Sequence, residues 1–338
     1  MYVKRYFSWQ ILYFISWRMI LWSLFTGLLA MVTYLYLGWK WVAIPWLPVS
    51  LIGTAVAFYV GFKNNQSYDR VWEARKVWGS IVNLSRAFAA ATRAFTTFAR
   101  SKGISQSEID NEVRIMILRH IAWLHALKHA MRQPTPWEHD LPASRRQRKY
   151  FARRIDFSSF DADSSMCLSA EEIKFIKQKK NAATHLLDKQ SLHIADLRSR
   201  GLIDHFQQIE LQRLITDMYA EQGASERIKN TPLPRQYSTS SHIFILIFTY
   251  LLPFAMLNEF EKLDGGNLIW LMLPFNLVVS WVFSLMEYTG DYSENPFEGL
   301  LNDIPVYAIV RNIEIDLKEM MGDTNIPERM KPVLDVLF

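Results

Sequence analysis

Four apolar stretches, arranged as two pairs, dominate the pattern of hydrophobic and polar positions along the chain. None of them contains Asp, Glu, Lys or Arg, and they cover about residues 19–37, 44–62, 241–257 and 267–286. An α-helix rises about 1.5 Å per residue, so roughly 19 residues reach about 28 Å, close to the hydrocarbon thickness of a bilayer. The pattern predicts four transmembrane helices and disfavours the alternative of buried helices in a soluble α-protein.

The basic residues beside these stretches predict their orientation. Lys4 and Arg5 precede the first stretch, and Lys63 and Arg70 follow the second, whereas the short links inside each pair hold few basic residues. Positive flanks remain on the cytoplasmic side of a membrane, so we expect both termini and the long middle region to be cytoplasmic. The predicted layout is 1–62 (two spans), 63–238 (cytoplasmic helices), 239–288 (two spans) and 289–338 (cytoplasmic C-terminal segment).

The middle and C-terminal regions carry the three-and-four spacing of amphipathic helices. Ser169 and Glu172 have the spacing of a capping box, which opens a helix. We expect helices at 68–100, 108–131, 170–187, 204–222 and 304–321, with a polar surface loop at 144–165. The predicted fold class is therefore an all-α membrane protein whose four spans continue into a cytoplasmic helical bundle.

The second apolar stretch runs into a charged helix without a helix-breaking residue at the junction. Thr54, Phe58 and Phe62 recur every four residues there and share one helix face. If several copies directed this face at a common axis, the two rings would form a hydrophobic neck able to control the passage of ions by its wetting. Packing between helices explains the same spacing, and the residues alone favour neither interpretation.

Composition narrows the possible functions. The net charge of +5 comes without zinc-ligand spacing or a ladder of basic and aromatic residues, which argues for contact with lipid headgroups and against nucleic acid. No glycine-rich phosphate loop is present, and the single cysteine, Cys167, excludes an intrachain disulfide. We expect no cofactor and no catalytic centre.

Three histidines offer an alternative. His125 and His129 are four residues apart on a predicted helix, with His120 nearby, and such spacing can hold a metal. Because no carboxylate is placed to complete the site, a membrane-anchored metalloenzyme is the more distant hypothesis. A second such hypothesis is a scaffold that only recruits partners.

Acidic residues cluster after the fourth apolar stretch. Asp291, Glu294, Glu298 and Asp303 surround an Asn-Pro-Phe sequence, but they lack the alternating ligands of a helix-loop-helix calcium site. We expect a solvated loop here.

Three motifs in the same order resemble the bacterial bestrophin homologues. They are GFKNNQSYDRVWEARKVWG at 61–79, KNTPLP at 229–234, and ENPF at 294–297 followed by IEIDL at 313–317. The likeness covers most of the chain and is weakest at 133–200.

The resemblance implies a homopentameric ion channel of the bacterial inner membrane, with one central pore and no partner besides itself, lipid and the permeant ions. It places the neck at Thr54, Phe58 and Phe62 and a cytosolic aperture at Phe206, with Gln66, Asp69 and Glu73 on the pore wall. Vertebrate bestrophins bind calcium through an acidic clasp, of which Asp303 is a remnant here. Leu300 stands where another ligand is expected, so we predict no calcium gating.

The resemblance leaves selectivity open between anions and monovalent cations such as Na⁺ and K⁺. The positive edges of two Phe rings favour anions weakly. Acidic residues in the second link (Glu259, Glu261 and Asp264) would enrich cations if they faced the pore entrance. We expect chloride or other monovalent anions, with a cation channel of the same architecture as the alternative.

Overall fold

The computed structural model describes residues 1–96, 103–139, 144–145, 149–150 and 159–338. Within these ranges the chain is helical, and backbone pairing is limited to the isolated bridges Tyr2–Val336 and Val333–Val336. The principal helices are α1 (Trp9–Met31), α2 (Trp46–Thr96), α3 (Gln106–Met131), α4 (Phe160–Ser165), α5 (Ala170–Lys177), α6 (Ala182–Ser199), α7 (His205–Asn230), α8 (Arg235–Glu261), α9 (Met272–Asp291) and α10 (Val306–Met321).

Four helical segments are long and apolar enough to cross a membrane, as the hydrophobic pattern predicts. They are Trp9–Tyr36, Lys40–Phe95, Arg235–Glu261 and Ile269–Asp291. The first begins ten residues before the predicted span, because Ser8 caps a helix that includes Arg18. The apolar stretches thus mark the most apolar part of longer helices rather than the helix ends.

The chain divides into two compact units. The membrane unit comprises Lys4–Arg70 and Pro232–Asn295, and the bundle unit comprises Met1–Val3, Val71–Thr231 and Pro296–Phe338. In the membrane unit, α1, the first half of α2, α8 and α9 bury an apolar core that includes Val56, Val60, Ile245, Phe248, Leu252 and Met272. Buried apolar contact of this kind fixes which side of each helix faces inward.

The bundle unit has a larger core, built from the second half of α2 and from α3, α6, α7 and α10. Its largest buried side chains include Trp78, Phe88 and Trp123 on these helices, together with Phe297. Ser169 and Glu172 form the predicted capping box at the start of α5. Gly322, at φ 74°, ends α10 in the left-handed conformation that glycine adopts without a steric penalty.

Two local predictions for this unit are wrong. The helix expected at 170–187 is two helices, because Asn181 caps a new helix with its side chain after a break at Gln178. Part of the loop expected at 144–165 is the short helix α4, which Ser159 caps. Two parts of these predictions lie outside the described residues. They are 146–148 and 151–158 of the expected loop, and the last four residues of the helix expected at 68–100.

Candidate functional site

A stripe of exposed side chains runs along one face of α2 in the membrane unit. Thr54 is exposed, Phe58 is 66% exposed and Phe62 is 69% exposed. The Thr54 hydroxyl donates a hydrogen bond to the carbonyl oxygen of Ser50 at 3.0 Å, which satisfies its proton within the helix. The structure therefore places all three predicted neck residues on the same uncovered face of the subunit.

A groove of about 830 Å³ lies along this face. Phe58, Phe62 and Trp46 belong to its lining, together with side chains of α8 and α9. Three small residues of α2 also line it, namely Gly53, Ala57 and Gly61. Small residues every four positions allow another helix or a bulky side chain to approach the backbone of α2 closely.

The polar residues predicted for the pore wall follow the two rings along α2. Gln66 and Asp69 are exposed and belong to the membrane unit, like the three neck candidates. Glu73 belongs to the bundle unit, where Arg227 pairs with it at 2.6 Å. The ion pair compensates the charge of Glu73, so of the two carboxylates predicted for the wall Asp69 is the stronger candidate for an uncompensated charge.

Phe206 is the predicted aperture residue. It lies in the first turn of α7, between the capping-box residues Asp204 and Gln207, and its side chain is 81% exposed. A phenylalanine this exposed is available to contact another copy or to face water. Phe206 is in the bundle unit and the three neck residues are in the membrane unit, so the aperture remains a separate prediction.

The acidic residues of the second link are largely paired with lysines. Glu261 accepts a hydrogen bond from Tyr34 and lies 2.9 Å from the Lys40 ammonium, and Glu259 pairs with Lys262 at 2.8 Å. The side chain of Asp264 lies outside the described part of the chain. These lysines offset the negative charge of Glu259 and Glu261 in the link.

A buried ion pair lies one residue beyond Phe62 and was missed by sequence reasoning. The Lys63 ammonium is 2.8 Å from Glu287 and 3.6 Å from Asp291, both on α9. Ser241 of α8 donates a hydrogen bond to the second oxygen of Glu287. The positive-inside rule explains why a basic residue stands at position 63, but no local pattern reveals the residues that pair with it.

The acidic cluster after the fourth span is not the solvated loop that the sequence predicts. Glu294, Glu298 and Asp303 are all buried. Glu294 pairs with Arg235 at 2.9 Å, and Glu298 accepts hydrogen bonds from the backbone and the ring of His139. The prediction fails because each carboxylate has a partner distant in the sequence that compensates it on burial.

Asp303, the predicted remnant of a calcium clasp, is fully engaged. One oxygen accepts from the backbone N–H groups of Phe297 and Ile304, and the other from Gly299 N–H and from Arg132 at 2.5 Å. The Arg132 guanidinium also donates to the carbonyl oxygens of Phe297 and Ile304. A fixed positive charge thus lies among the oxygens that a calcium ion would need, and Leu300 is a buried apolar residue.

The structure does not bring the three histidines together. His125 and His129 both approach Asp163, at 3.0 and 2.9 Å, but the Lys128 ammonium contacts the same carboxylate at 2.7 Å. His120 packs instead between the rings of Phe88 and Trp123. Among the described residues no group of three His, Cys, Asp or Glu side chains is arranged to hold a metal ion.

Charges in this buried cluster hold its carboxylates ionised. Burial alone raises the pKa of Asp163, but hydrogen bonds from His125 and His129 outweigh it and hold that pKa far below its usual range. Burial also raises the pKa of Glu314, and hydrogen bonds from His125 and Lys318 lower it to about 2. The cluster is a compensated structural network joining α3, α4 and α10.

Within the described residues the chain is helical, with four helices long and apolar enough to cross a membrane and an exposed aromatic stripe on the second of them. The pattern of the family described as Bacterial/Fungal Bestrophin protein matches residues 2–319. The chain belongs to this bestrophin family.

Relatives and a solved structure agree with this assignment. The voltage-dependent anion channel-forming protein YneE of Escherichia coli K12 is 27% identical over 335 residues, which cover 98% of this chain and 95% of the relative. A similarly named protein of Ralstonia nicotianae is 28% identical and covers 82% of this chain and 78% of its own. The crystal structure of a bacterial bestrophin homologue from Klebsiella pneumoniae matches with a TM-score of 0.74 and 22% identity, over 90% of this chain and 98% of that one, and supports the fold.

Proposed function

We propose that this chain is the subunit of a channel for the passive flow of monovalent anions such as chloride. Five copies assemble around a central pore in the bacterial inner membrane, with both termini in the cytoplasm. Thr54, Phe58 and Phe62 form the neck, and Phe206 forms a second, cytosolic aperture. The channel needs no cofactor and no catalytic centre.

The observation that carries this proposal is the exposed stripe of α2. Two Phe rings, each about two-thirds exposed, share their face with a hydroxyl on one side and with Gln66 and Asp69 on the other. A water path accommodates a hydroxyl, two aromatic rings and the polar side chains that follow them beyond the apolar stretch. Rings four residues apart are separated by about 6 Å along the axis and would form two successive collars.

Charge favours anions over cations. Lysine or arginine partners compensate Glu73, Glu259 and Glu261, which removes much of the acidity that favoured cations. The edges of the two Phe rings carry partial positive charge and can contact an anion that has lost part of its water. The names of the relatives from E. coli and Ralstonia also point to anions. The exposed Asp69 is the observation that favours the cation alternative.

Replacing Phe58 with alanine tests the neck. The purified protein in a planar lipid bilayer should carry current in potassium chloride, and Phe58→Ala should raise the single-channel conductance by roughly threefold or leave the pore constantly open, because a wider apolar collar wets more easily. Phe25→Ala is the matched control, since Phe25 is a similarly exposed ring on α1 (58%) and should leave conductance unchanged.

The assembly is weighed by native mass spectrometry before each recording, so that lost current cannot be confused with lost pentamers. An absence of current from intact pentamers in several salts contradicts the channel. Equal conductance in the wild type and in Phe58→Ala contradicts the neck.

A further inference from the structure

The ion pair next to Phe62 joins three helices of the membrane unit. Lys63 of α2 is buried, and its ammonium lies 2.8 Å from Oε1 of Glu287 on α9. The other oxygen of the same carboxylate accepts the hydroxyl proton of Ser241 on α8. Asp291, one turn further along α9, lies 3.6 Å from the ammonium. A single carboxylate therefore connects α2, α8 and α9 at one level of the membrane unit.

At this level the apolar packing of α2 within the membrane unit ends. Val56 and Val60 are buried in the apolar core, but the next fully buried positions on the same side are Lys63 and Ser67. The ion pair of Lys63 replaces an apolar contact at this position, and a charged pair is directional where apolar contact is not. The position of the Glu287 carboxylate, which the Lys63 ammonium contacts, thus sets the rotation of this part of α2 about its own axis.

The adjacent residue supports the same rotation. The Asn64 side-chain amide donates a hydrogen bond to the Met286 carbonyl oxygen at 2.9 Å. Gly290 makes room for Asn64, since a Cβ at that glycine would overlap the Asn64 side chain. Two successive residues of α2 are therefore fixed against α9 directly after Phe62.

We propose that the Lys63–Glu287 pair positions Phe62, and this inference rests on the proposed function of the chain as a channel. Successive side chains on an α-helix diverge by about 100°, so a Lys63 held inward keeps the neighbouring Phe62 ring outward, toward the water path. A buried ion pair is weak evidence for added stability, whereas a fixed arrangement of helices is a role such pairs can serve. Lys63 is a positioning residue and does not touch the ion.

Labelling of a cysteine at position 62 tests this proposal. Cys167 is the only cysteine of the chain, so Cys167→Ser with Phe62→Cys gives a parent protein with one thiol. In lipid vesicles, the rate of its reaction with a small neutral maleimide is followed by mass spectrometry. The neutral double variant Lys63→Met with Glu287→Met leaves no unpaired buried charge in the pair, and it should slow labelling about tenfold because α2 is free to turn the introduced thiol away from water.

Three further variants make the measurement specific. Glu287→Gln keeps the shape of the side chain and removes its charge, so it should also slow labelling. It replaces the double variant in the test if that variant does not assemble. Lys63→Arg preserves the charge and should stay within about twofold of the parent. Lys40→Met breaks the exposed Lys40–Glu261 pair of the same unit and should also stay within about twofold.

Unchanged labelling rates in both the double variant and Glu287→Gln overturn the positioning role. Equal slowing by Lys40→Met overturns it as well, because the effect would then follow from any lost ion pair. The current through the parent is recorded before and after labelling. A current that labelling leaves unaltered contradicts the proposed pore at position 62, while the labelling rates still report separately on what Lys63 does.

Discussion

His120 is a buried histidine whose ring nitrogens find no hydrogen-bond partner among the described residues. It packs between Phe88 and Trp123, and burial lowers its pKa from 6.5 to about 3. The folded chain therefore keeps this ring neutral at pH values where the unfolded chain protonates it. Its contribution to stability is complete above pH 6.5 and is lost as the pH falls from 6.5 toward 3, because the unfolded state binds the additional proton.

Replacing His120 with phenylalanine should remove this acid sensitivity. Between pH 6.5 and 5 the linkage costs the wild type about 2 kcal/mol of unfolding free energy, since one pKa unit corresponds to about 1.36 kcal/mol. Urea unfolding followed by tryptophan fluorescence at several pH values measures the difference. His205→Gln, at an exposed position, is the control and should behave like the wild type. An identical acid loss in His120→Phe and wild type would refute this account of His120.

Arg132 shows how one side chain changes the chemistry of a predicted site. The sequence identifies Asp303 as a possible calcium ligand, but the structure pairs it with Arg132, which lies 171 residues earlier. The Arg132 guanidinium already compensates the Asp303 carboxylate and binds the carbonyl oxygens of Phe297 and Ile304. These oxygens therefore attract a divalent cation only weakly. This is the physical basis on which we propose that calcium does not gate the channel.

The sequence predicts which side chains share a helix face, because the helical period determines it. Thr54, Phe58 and Phe62 share a face because a helix repeats, and the structure shows that face exposed. The sequence marks Lys63 only as a basic flank, because its partner Glu287 is 224 residues away and no local pattern indicates the pair. The histidines at 125 and 129 were weighed as metal ligands for the same reason, since Asp163 and Lys128 supply the partners in the fold.

At the scale of elements, α2 is the central feature of the chain. It runs unbroken from Trp46 to Thr96, as expected from the absence of a breaker after the apolar stretch. Its glycines are not equivalent, because an added Cβ at Gly53 would lie 2.6 Å from the ring of Phe248, whereas one at Gly79 would meet nothing within 4 Å. Gly53 therefore lets α2 and α8 approach closely, and Gly79 has no such role in the subunit.

A pair of alanine substitutions on α2 tests this difference. Gly53→Ala should destabilise the protein by about 1–3 kcal/mol through overpacking against Phe248. Gly79→Ala should be neutral or stabilising by up to about 1 kcal/mol, because alanine has the higher helix propensity. Thermal unfolding in detergent compares the two. Equal melting temperatures would show that the contact with Phe248 relaxes at no cost.

Element types were more predictable than element ends. Apolar length predicted all four helices that are long and apolar enough to cross a membrane, and a capping box predicted the start of α5. The break between α5 and α6 was missed, because Lys179, Lys180 and Asn181 fit a continuing helix in composition. The side-chain oxygen of Asn181 instead accepts a hydrogen bond from the backbone N–H of Thr184, and this cap begins a new helix.

At the scale of the whole molecule, the family and the four spans followed from the sequence, while the assembly is a property of several copies. The membrane unit leaves large apolar side chains exposed on α2, including Leu47 and Leu51 above the two Phe rings. In the proposed pentamer, different parts of this surface contact lipid, water and neighbouring copies. Selectivity belongs to the same scale, because it is the sum of charges around the complete pore.

The reversal potential across a tenfold gradient of potassium chloride tests the central claim most directly, because its sign reports the charge of the ion that carries the current. Purified pentamers in a planar bilayer should reverse close to the Nernst potential of chloride, about 59 mV in magnitude for an ideally selective pore. Asp69→Asn should move the reversal potential further toward chloride, since it removes an exposed negative charge. A reversal near the potassium potential would contradict anion conduction, and no measurable current from intact pentamers would contradict the channel itself.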